Sequence, residues 1–128
     1  MVGIVIVSHS QKLAEGACEL AKMMADKAQV APAGGLEDGG LGTSYERIAD
    51  AIRSVDTGDG VALLMDMGSA VMTTEMVLDE FEGRNVKMLD GPVVEGAVVA
   101  AVEAQMGTDL SGIEGKVAEA RAMKKLSE

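Results

Sequence analysis

Short apolar runs alternate with helical patterns along this chain. Residues 2–7 (VGIVIV) and 61–66 (VALLMD) are rich in aliphatic residues, which is typical of strands covered on both faces. Two weaker segments, 29–33 (QVAPA) and 84–90 (RNVKMLD), complete a set of four predicted strands. Pro32 cannot donate to a sheet ladder, so it places the 29–33 strand at an edge.

Two helices are predicted in the first half of the chain. Ser10 can cap the first helix, whose apolar positions are Leu13, Ala17, Leu20, Ala21 and Met24. The second helix follows a glycine-rich loop, residues 34–44. The run from Thr43 to Glu46 has the form of a capping box for that helix.

Three further helices are predicted in the second half. One follows MGSA (67–70) and runs to about Phe81, and the next spans 93–106. The last ends in KVAEARAMKKLSE, and its terminal lysines are well placed to interact with the helix dipole. Strands that alternate with helices predict right-handed βαβ units. The expected fold class is therefore α/β: a single three-layer domain over residues 1–128, with a mainly parallel four-stranded sheet and helices on both faces.

The edge position of the second strand predicts the strand order 2-1-3-4. The chain runs from the first strand to one side for the second strand and then crosses back, so that the third strand lies on the other side of the first. A crevice therefore opens at the carboxyl ends of the first and third strands, where open α/β sheets bind ligands. His9, the only histidine, ends the first strand, and Asp66 ends the third. Topology therefore predicts that these two residues face the same crevice.

His9 and Asp66 form a pair that suits chemistry at a histidine nitrogen. A carboxylate that accepts one ring N–H leaves the other nitrogen free as a nucleophile. Helices begin directly after both residues, and their free N–H groups favour an anion. We therefore take His9 and Asp66 as candidate catalytic residues, and the candidate phosphate-binding residues are Ser10, Thr43, Gly68 and Ser69. Gly68 is expected to allow close approach of the backbone, and no metal is needed.

Structural interpretations and other active sites stay open at this point. His9 alone is compatible with a structural role, and Asp66 with a helix cap. No G-x-S-x-G elbow occurs, although His9, Asp66 and Ser69 can be drawn as a hydrolase triad. A zinc site is disfavoured, because the chain has one histidine and one cysteine to supply the usual ligands.

The charge and apolar content narrow the function classes further. Eleven basic and twenty-one acidic residues give a net charge of −10, which disfavours nucleic acid and anionic membranes and suits a basic protein partner. No apolar run is long enough for a membrane span, and the N-terminus lacks the pattern of a signal peptide. Cys18, the only cysteine, lies in an apolar helical pattern; we expect a buried structural thiol and a cytoplasmic protein.

Three segments resemble a known family over nearly the whole chain. MVGIVIVSHSQKLAEG (1–16), MDMGSA (65–70) and GPVVEG (91–96) resemble the mannose-type IIA domains of the sugar phosphotransferase system, and most closely the DhaM-type phosphotransfer subunits of phosphoenolpyruvate-dependent dihydroxyacetone kinase. The resemblance implies that Nε2 of His9 accepts a phosphoryl group from phospho-HPr and that Asp66 hydrogen-bonds the same ring. It further implies transfer to ADP on a partner kinase subunit, so that no cofactor belongs to this chain.

Two departures from the family modify these expectations. The chain stops after the IIA-like domain, so a separate phospho-HPr is expected as donor. Mannose-type IIA domains exchange a C-terminal strand, whereas GKVAEARAMKKLSE is rich in helix formers, so we expect a homodimer without that exchange. A IIA subunit of a sugar transporter and a non-catalytic binding module remain the alternative functions.

Overall fold

A parallel sheet forms the centre of the structure, a computed structural model that describes residues 1–127. Its strands are β1 (Gly3–Ser8), β2 (Val30–Gly34), β3 (Val61–Met65) and β4 (Val86–Met88). They lie in the order β2-β1-β3-β4, and every neighbouring pair is parallel. The predicted fold class and strand order are confirmed. Val7 pairs with Met65, so β1 and β3 end side by side.

Helices cover both faces of the sheet. They are α1 (Gln11–Met24), α2 (Tyr45–Val55), α3 (Ser69–Glu80), α4 (Val93–Gln105) and α5 (Leu110–Ala122). Alternate β1 residues point to opposite faces, with Ile4 and Ile6 packed under α1, α4 and α5, and Val5 and Val7 under α2 and α3. None of the helices within residues 1–127 is long and apolar enough to cross a membrane.

Cys18 lies in the core on the α1 side of the sheet. Only 6% of the residue is exposed, and burial raises the pKa of its thiol to about 12. The thiol therefore stays protonated and unreactive at neutral pH, since the thiolate is the nucleophilic form. The predicted structural cysteine is confirmed.

The predicted capping box at the start of α2 is wrong. Ser44, and not Thr43, is the N-cap, and its hydroxyl accepts the Arg47 N–H at 3.2 Å. The hydroxyl of Thr43 instead lies 3.1 Å from that of Thr73. The helix therefore begins one residue later than the pattern predicted, which leaves Thr43 free for the carboxyl edge of the sheet.

The last helix also differs from its prediction. It ends at Ala122, so Lys124 and Lys125 lie beyond its last turn and do not oppose its dipole as expected. Lys125 instead forms an ion pair with Glu95, at 2.6 Å, in the first turn of α4. No strand follows α5 within residues 1–127.

Gly34 permits the close packing that places the start of α1. A Cβ atom at this position would lie 2.5 Å from the carbonyl oxygen of Ser10 and 2.7 Å from Cβ of Ala14. Both distances are far below van der Waals contact. The end of β2 can therefore lie against the helix that follows His9 only if this residue has no side chain.

We expect Gly34→Ala to lower the free energy of unfolding by about 1–3 kcal/mol, because a methyl group would overpack this contact. The control is Gly16→Ala in α1, where a Cβ atom meets nothing within 4 Å. That change should raise the stability by up to ~1 kcal/mol. Urea unfolding of the two variants measures both effects, and equal stabilities would contradict the packing argument.

Candidate functional site

His9 and Asp66 meet at the carboxyl ends of β1 and β3. Nδ1 of His9 lies 2.9 Å from Oδ1 of Asp66, and 28% of the histidine side chain is exposed. An ionised carboxylate can only accept hydrogen bonds, so Nδ1 carries the proton. Nε2 therefore holds the lone pair of the neutral ring.

The carboxylate of Asp66 accepts four hydrogen bonds. Oδ2 accepts the hydroxyl of Ser8 at 2.8 Å and the amide of His9 at 3.0 Å. Oδ1 accepts the amide of Met67 at 2.7 Å in addition to the His9 ring. Burial alone would raise the pKa of Asp66, but these hydrogen bonds outweigh it and hold the pKa below its usual value. Asp66 is therefore an anion at neutral pH.

A chain of hydroxyl groups lies on the other side of the ring. Oγ of Ser69 lies 2.7 Å from Nε2 of His9 and accepts a hydrogen bond from Thr43 at 3.3 Å. Oγ1 of Thr43 lies 3.1 Å from Oγ1 of Thr73. With the proton on Nδ1, the Ser69 hydroxyl donates to the lone pair of Nε2. The nucleophilic nitrogen is thus covered by one rotatable hydroxyl.

The glycine-rich loop of residues 34–44 packs against the same edge of the sheet. The amide of Gly42 donates to the carbonyl of His9 at 2.9 Å, and a turn from Leu36 to Gly40 braces the loop internally. These contacts place Thr43 beside Ser69 and Thr73. The structure therefore brings three candidates together around His9: Thr43, Asp66 and Ser69.

Ser10 is the candidate that the structure places apart from the ring. Its hydroxyl caps α1 by accepting the Leu13 N–H at 3.2 Å, and its amide donates to the hydroxyl of Ser8 at 3.0 Å. Within residues 1–127 it makes no hydrogen bond to His9. The cap uses Oγ of Ser10 only as an acceptor, so its O–H can still donate to an anion while the cap is kept.

Gly68 is needed for its backbone conformation. Its φ of +45° and ψ of −108° are those of the first central residue of a type II′ turn, closed by the Ala70 N–H on the Met67 carbonyl at 3.0 Å. No atom lies within 4 Å of a Cβ built at Gly68, so packing does not require glycine. Among residues 1–127, the amides of Gly68 and Ser69 have no hydrogen-bond acceptor, which leaves two donors for an anion beside His9.

The sequence reasoning missed Ser8 and Thr73. Ser8 lies on the same face of β1 as Ile4 and Ile6, which are buried in the core. A polar residue in this apolar series was the signal of a functional role for Ser8. Thr73 follows Ser69 by four residues and therefore lies on the same side of α3. Both signals need the helix and strand directions to be known first.

We expect Asp66→Asn to destabilise the fold at neutral pH, and the loss to shrink as the pH falls. A carboxyl group whose pKa is lowered on folding contributes stability above its unfolded pKa of about 3.9 and loses it as the pH falls through the folded value. Urea unfolding from pH 7 to pH 3 measures the difference between the variant and the parent. Asp79→Asn, on the exposed face of α3, is the control, and a loss that is independent of pH would contradict this assignment.

Comparisons with known proteins place the chain among components of the phosphotransferase system. The family model described as the PTS system fructose IIA component matches residues 3–114. The chain is 38% identical over 120 residues to the PEP-dependent dihydroxyacetone kinase, phosphoryl donor subunit DhaM, of Escherichia coli (strain K12); the match covers 88% of this chain and 25% of that protein. The corresponding subunit of kinase 1 of Listeria innocua is 38% identical over 104 residues, or 81% of this chain and 82% of that protein.

A solved structure shows the same fold. The phosphotransferase system component EIIA from Streptococcus agalactiae superposes with a TM-score of 0.72 at 19% identity, covering 95% of this chain and 93% of that one. The chain spans only about a quarter of the E. coli relative, but most of the Listeria relative. The resemblance to DhaM-type subunits is confirmed by these identities, and the chain belongs to the PTS system fructose IIA component family.

Proposed function

We propose that this chain carries a phosphoryl group on Nε2 of His9, received from phospho-HPr and passed to ADP on a partner subunit of dihydroxyacetone kinase. The observation that carries the proposal is the position of the ring between Asp66, which holds the proton on Nδ1, and the Ser69 hydroxyl at Nε2. The DhaM names of the relatives support the kinase as acceptor rather than a sugar transporter.

Phosphoryl transfer to His9 needs no acid or base on Nε2. The lone pair of Nε2 forms the bond to phosphorus while the bond between phosphorus and the donor breaks in line with it. The ring gains positive charge, and the carboxylate of Asp66 stabilises that charge through the Nδ1 proton. In the second transfer a β-phosphate oxygen of ADP forms the new bond to phosphorus, and the electron pair returns to Nε2.

The Ser69 hydroxyl must turn away before Nε2 can react. After rotation the same hydroxyl can donate to a phosphoryl oxygen instead of the ring nitrogen. Thr43 and the amides of Gly68 and Ser69 supply further donors at this edge of the sheet. Neutral donors of this kind stabilise the phosphoryl group without a metal ion.

Exposed methionines lie beside the site and suit protein partners. Met67 follows Asp66 directly, Met72 and Met76 lie on the outer face of α3, and between 57% and 68% of each residue is exposed. Methionine side chains adapt to differently shaped surfaces, so one rim can contact two partners in turn. Glu75 and Asp79 on the same helix favour partners with basic surfaces around the reacting group.

We further propose that the chain forms a homodimer without exchange of a C-terminal strand. The residues from Leu110 to Ala122 form α5, which packs through Ile113 and Val117 in the core of its own chain. A segment that is helical and buried in this way is not available to pair with a partner's sheet. The family resemblance supports the dimer itself.

Incubation with phosphoenolpyruvate, enzyme I and HPr should place one acid-labile phosphate on the chain. His9→Ala should carry none, because the chain has no other histidine. Asp66→Asn should slow the transfer, by less than the ~10⁴-fold seen when a triad aspartate is lost. Phosphate that remains on His9→Ala would overturn the proposal.

The acceptor is tested with the isolated phosphorylated chain. Addition of the kinase subunits, ADP and dihydroxyacetone should remove the phosphate and yield dihydroxyacetone phosphate, whereas ADP alone should not. Release of the phosphate only by sugar-transporter components would favour the alternative function.

The rate of transfer from phospho-HPr should fall as salt rises, since a charge of −10 steers a basic donor and the Debye length shrinks to about 8 Å at 0.15 M. Rates are measured below saturation at low and moderate ionic strength. Glu75→Gln on α3 should weaken this dependence, whereas Glu119→Gln on α5, against the other face of the sheet, should not. A rate that does not respond to salt would remove electrostatic steering.

A further inference from the structure

Ser8 is a fully buried hydroxyl that neither transfer step uses directly. Its residue exposure is 0%, although Ile4 and Ile6, at the equivalent positions of β1, are aliphatic core residues. A buried hydroxyl costs free energy unless it is hydrogen-bonded. An aliphatic residue at this position would pack in the core as Ile4 and Ile6 do. The serine hydroxyl must therefore have a role in hydrogen bonding.

The hydrogen bonds of Ser8 show what it serves. Its hydroxyl donates to Oδ2 of Asp66 at 2.8 Å and accepts the amide of Ser10 at 3.0 Å. The Ser10 amide belongs to the N-cap of α1, so the direction of the hydroxyl is fixed by the backbone. One side chain thus connects the start of α1 to the carboxylate that contacts His9.

We propose that Ser8 is a positioning residue that holds Oδ1 of Asp66 against Nδ1 of His9 and thereby keeps the Nε2 lone pair available. The two carboxylate oxygens are chemically equivalent, and the terminal torsion of aspartate is broad. Ser8 and the His9 amide fix Oδ2 from one side, which leaves Oδ1 to face the ring. The effect on transfer rests on the proposed function, whereas the effect on the ring does not.

Loss of the Ser8 hydroxyl leaves Oδ2 with the His9 amide as its remaining donor among residues 1–127. The Met67 amide on Oδ1 still orients the carboxylate, but one of its four donors is gone, so the carboxylate is held less tightly and its bond to the ring weakens. The lost hydrogen bond also raises the pKa of Asp66, because the Ser8 hydroxyl is one of the groups that lower it. The Nε2–H tautomer, in which the nucleophilic nitrogen carries the proton, becomes more populated as a result.

Ser10 provides a matched control two residues away. Its hydroxyl caps α1 through the Leu13 amide and, among residues 1–127, makes no hydrogen bond to Asp66 or to the ring of His9. Ser10→Ala therefore removes a serine hydroxyl from the same segment and costs about 1 kcal/mol of stability through the lost cap. It leaves the donors of Asp66 in place.

The ring ¹⁵N shifts of His9 test the proposal directly, because the only histidine gives one unambiguous pair of signals. At pH 8 the parent and Ser10→Ala should both show the Nδ1–H tautomer. Ser8→Ala should shift toward the Nε2–H tautomer, and Ser8→Cys, which keeps a weak donor of similar shape, should lie between. An unchanged tautomer in folded Ser8→Ala and Ser8→Cys would overturn the proposal.

The transfer arm separates this proposal from the proposed function. Ser8→Ala should accept phosphate from phospho-HPr about tenfold more slowly than the parent at pH 8. If no variant or parent accepts phosphate, the proposed function fails, while the tautomer result still decides the role of Ser8. A Ser8→Ala transfer rate equal to that of the parent would reduce Ser8 to a structural hydroxyl.

Discussion

The hydrogen bond between Asp66 and His9 is the interaction on which the rest of the site depends. It lies between the ends of two adjacent parallel strands, so it exists only while the β1–β3 register is kept. Burial opposes the charge on Asp66, and the donors from Ser8, His9 and Met67 offset that cost. The fold therefore holds an anion at a fixed place, and the anion holds the histidine ring.

The two sides of the ring differ in rigidity, and the difference suits a carrier. Nδ1 faces a carboxylate fixed by backbone and buried donors, whereas Nε2 faces the hydroxyl of Ser69, which can rotate. Within residues 1–127, no lysine or arginine bonds to Ser69 or Thr43. Charge-assisted bonds to a phosphoryl group are roughly twice as strong as neutral ones. A site with neutral donors does not bind the phosphoryl group so tightly that the proposed second transfer would be slowed.

The backbone arrangement followed from the sequence because hydrophobic patterning and topology determine it. Pro32 placed β2 at the edge, and the resulting order put His9 and Asp66 at neighbouring strand ends. The side-chain directions at helix and strand ends did not follow in the same way. Thr43 and Ser44 are both good N-cap residues, and the choice between them depends on contacts with α3 that lie about 30 residues away.

Ser8 and Thr73 were missed for a related reason. Each is a polar residue in a segment that was assigned from the spacing of its apolar residues. Its role in the site can be recognised only when its neighbour in space is known. The end of α5 shows the same limit, since helix propensity favours continuation through Lys124 and Lys125, whereas the helix ends at Ala122 and Lys125 pairs with Glu95 of α4. Local pattern gives the elements, and tertiary contacts decide where they stop.

A carrier must also present the same atom to two partners, and this constrains the surface around it. In the proposed function the donor and the acceptor both reach Nε2 in line, so they bind one at a time and share the rim that includes Met67 and Met72. A rim of fixed ion pairs would fit one partner and reject the other. Under that proposal, flexible apolar side chains next to the site, with acidic residues around them, suit both partners: charge brings a partner close, and the methionines adapt to its shape.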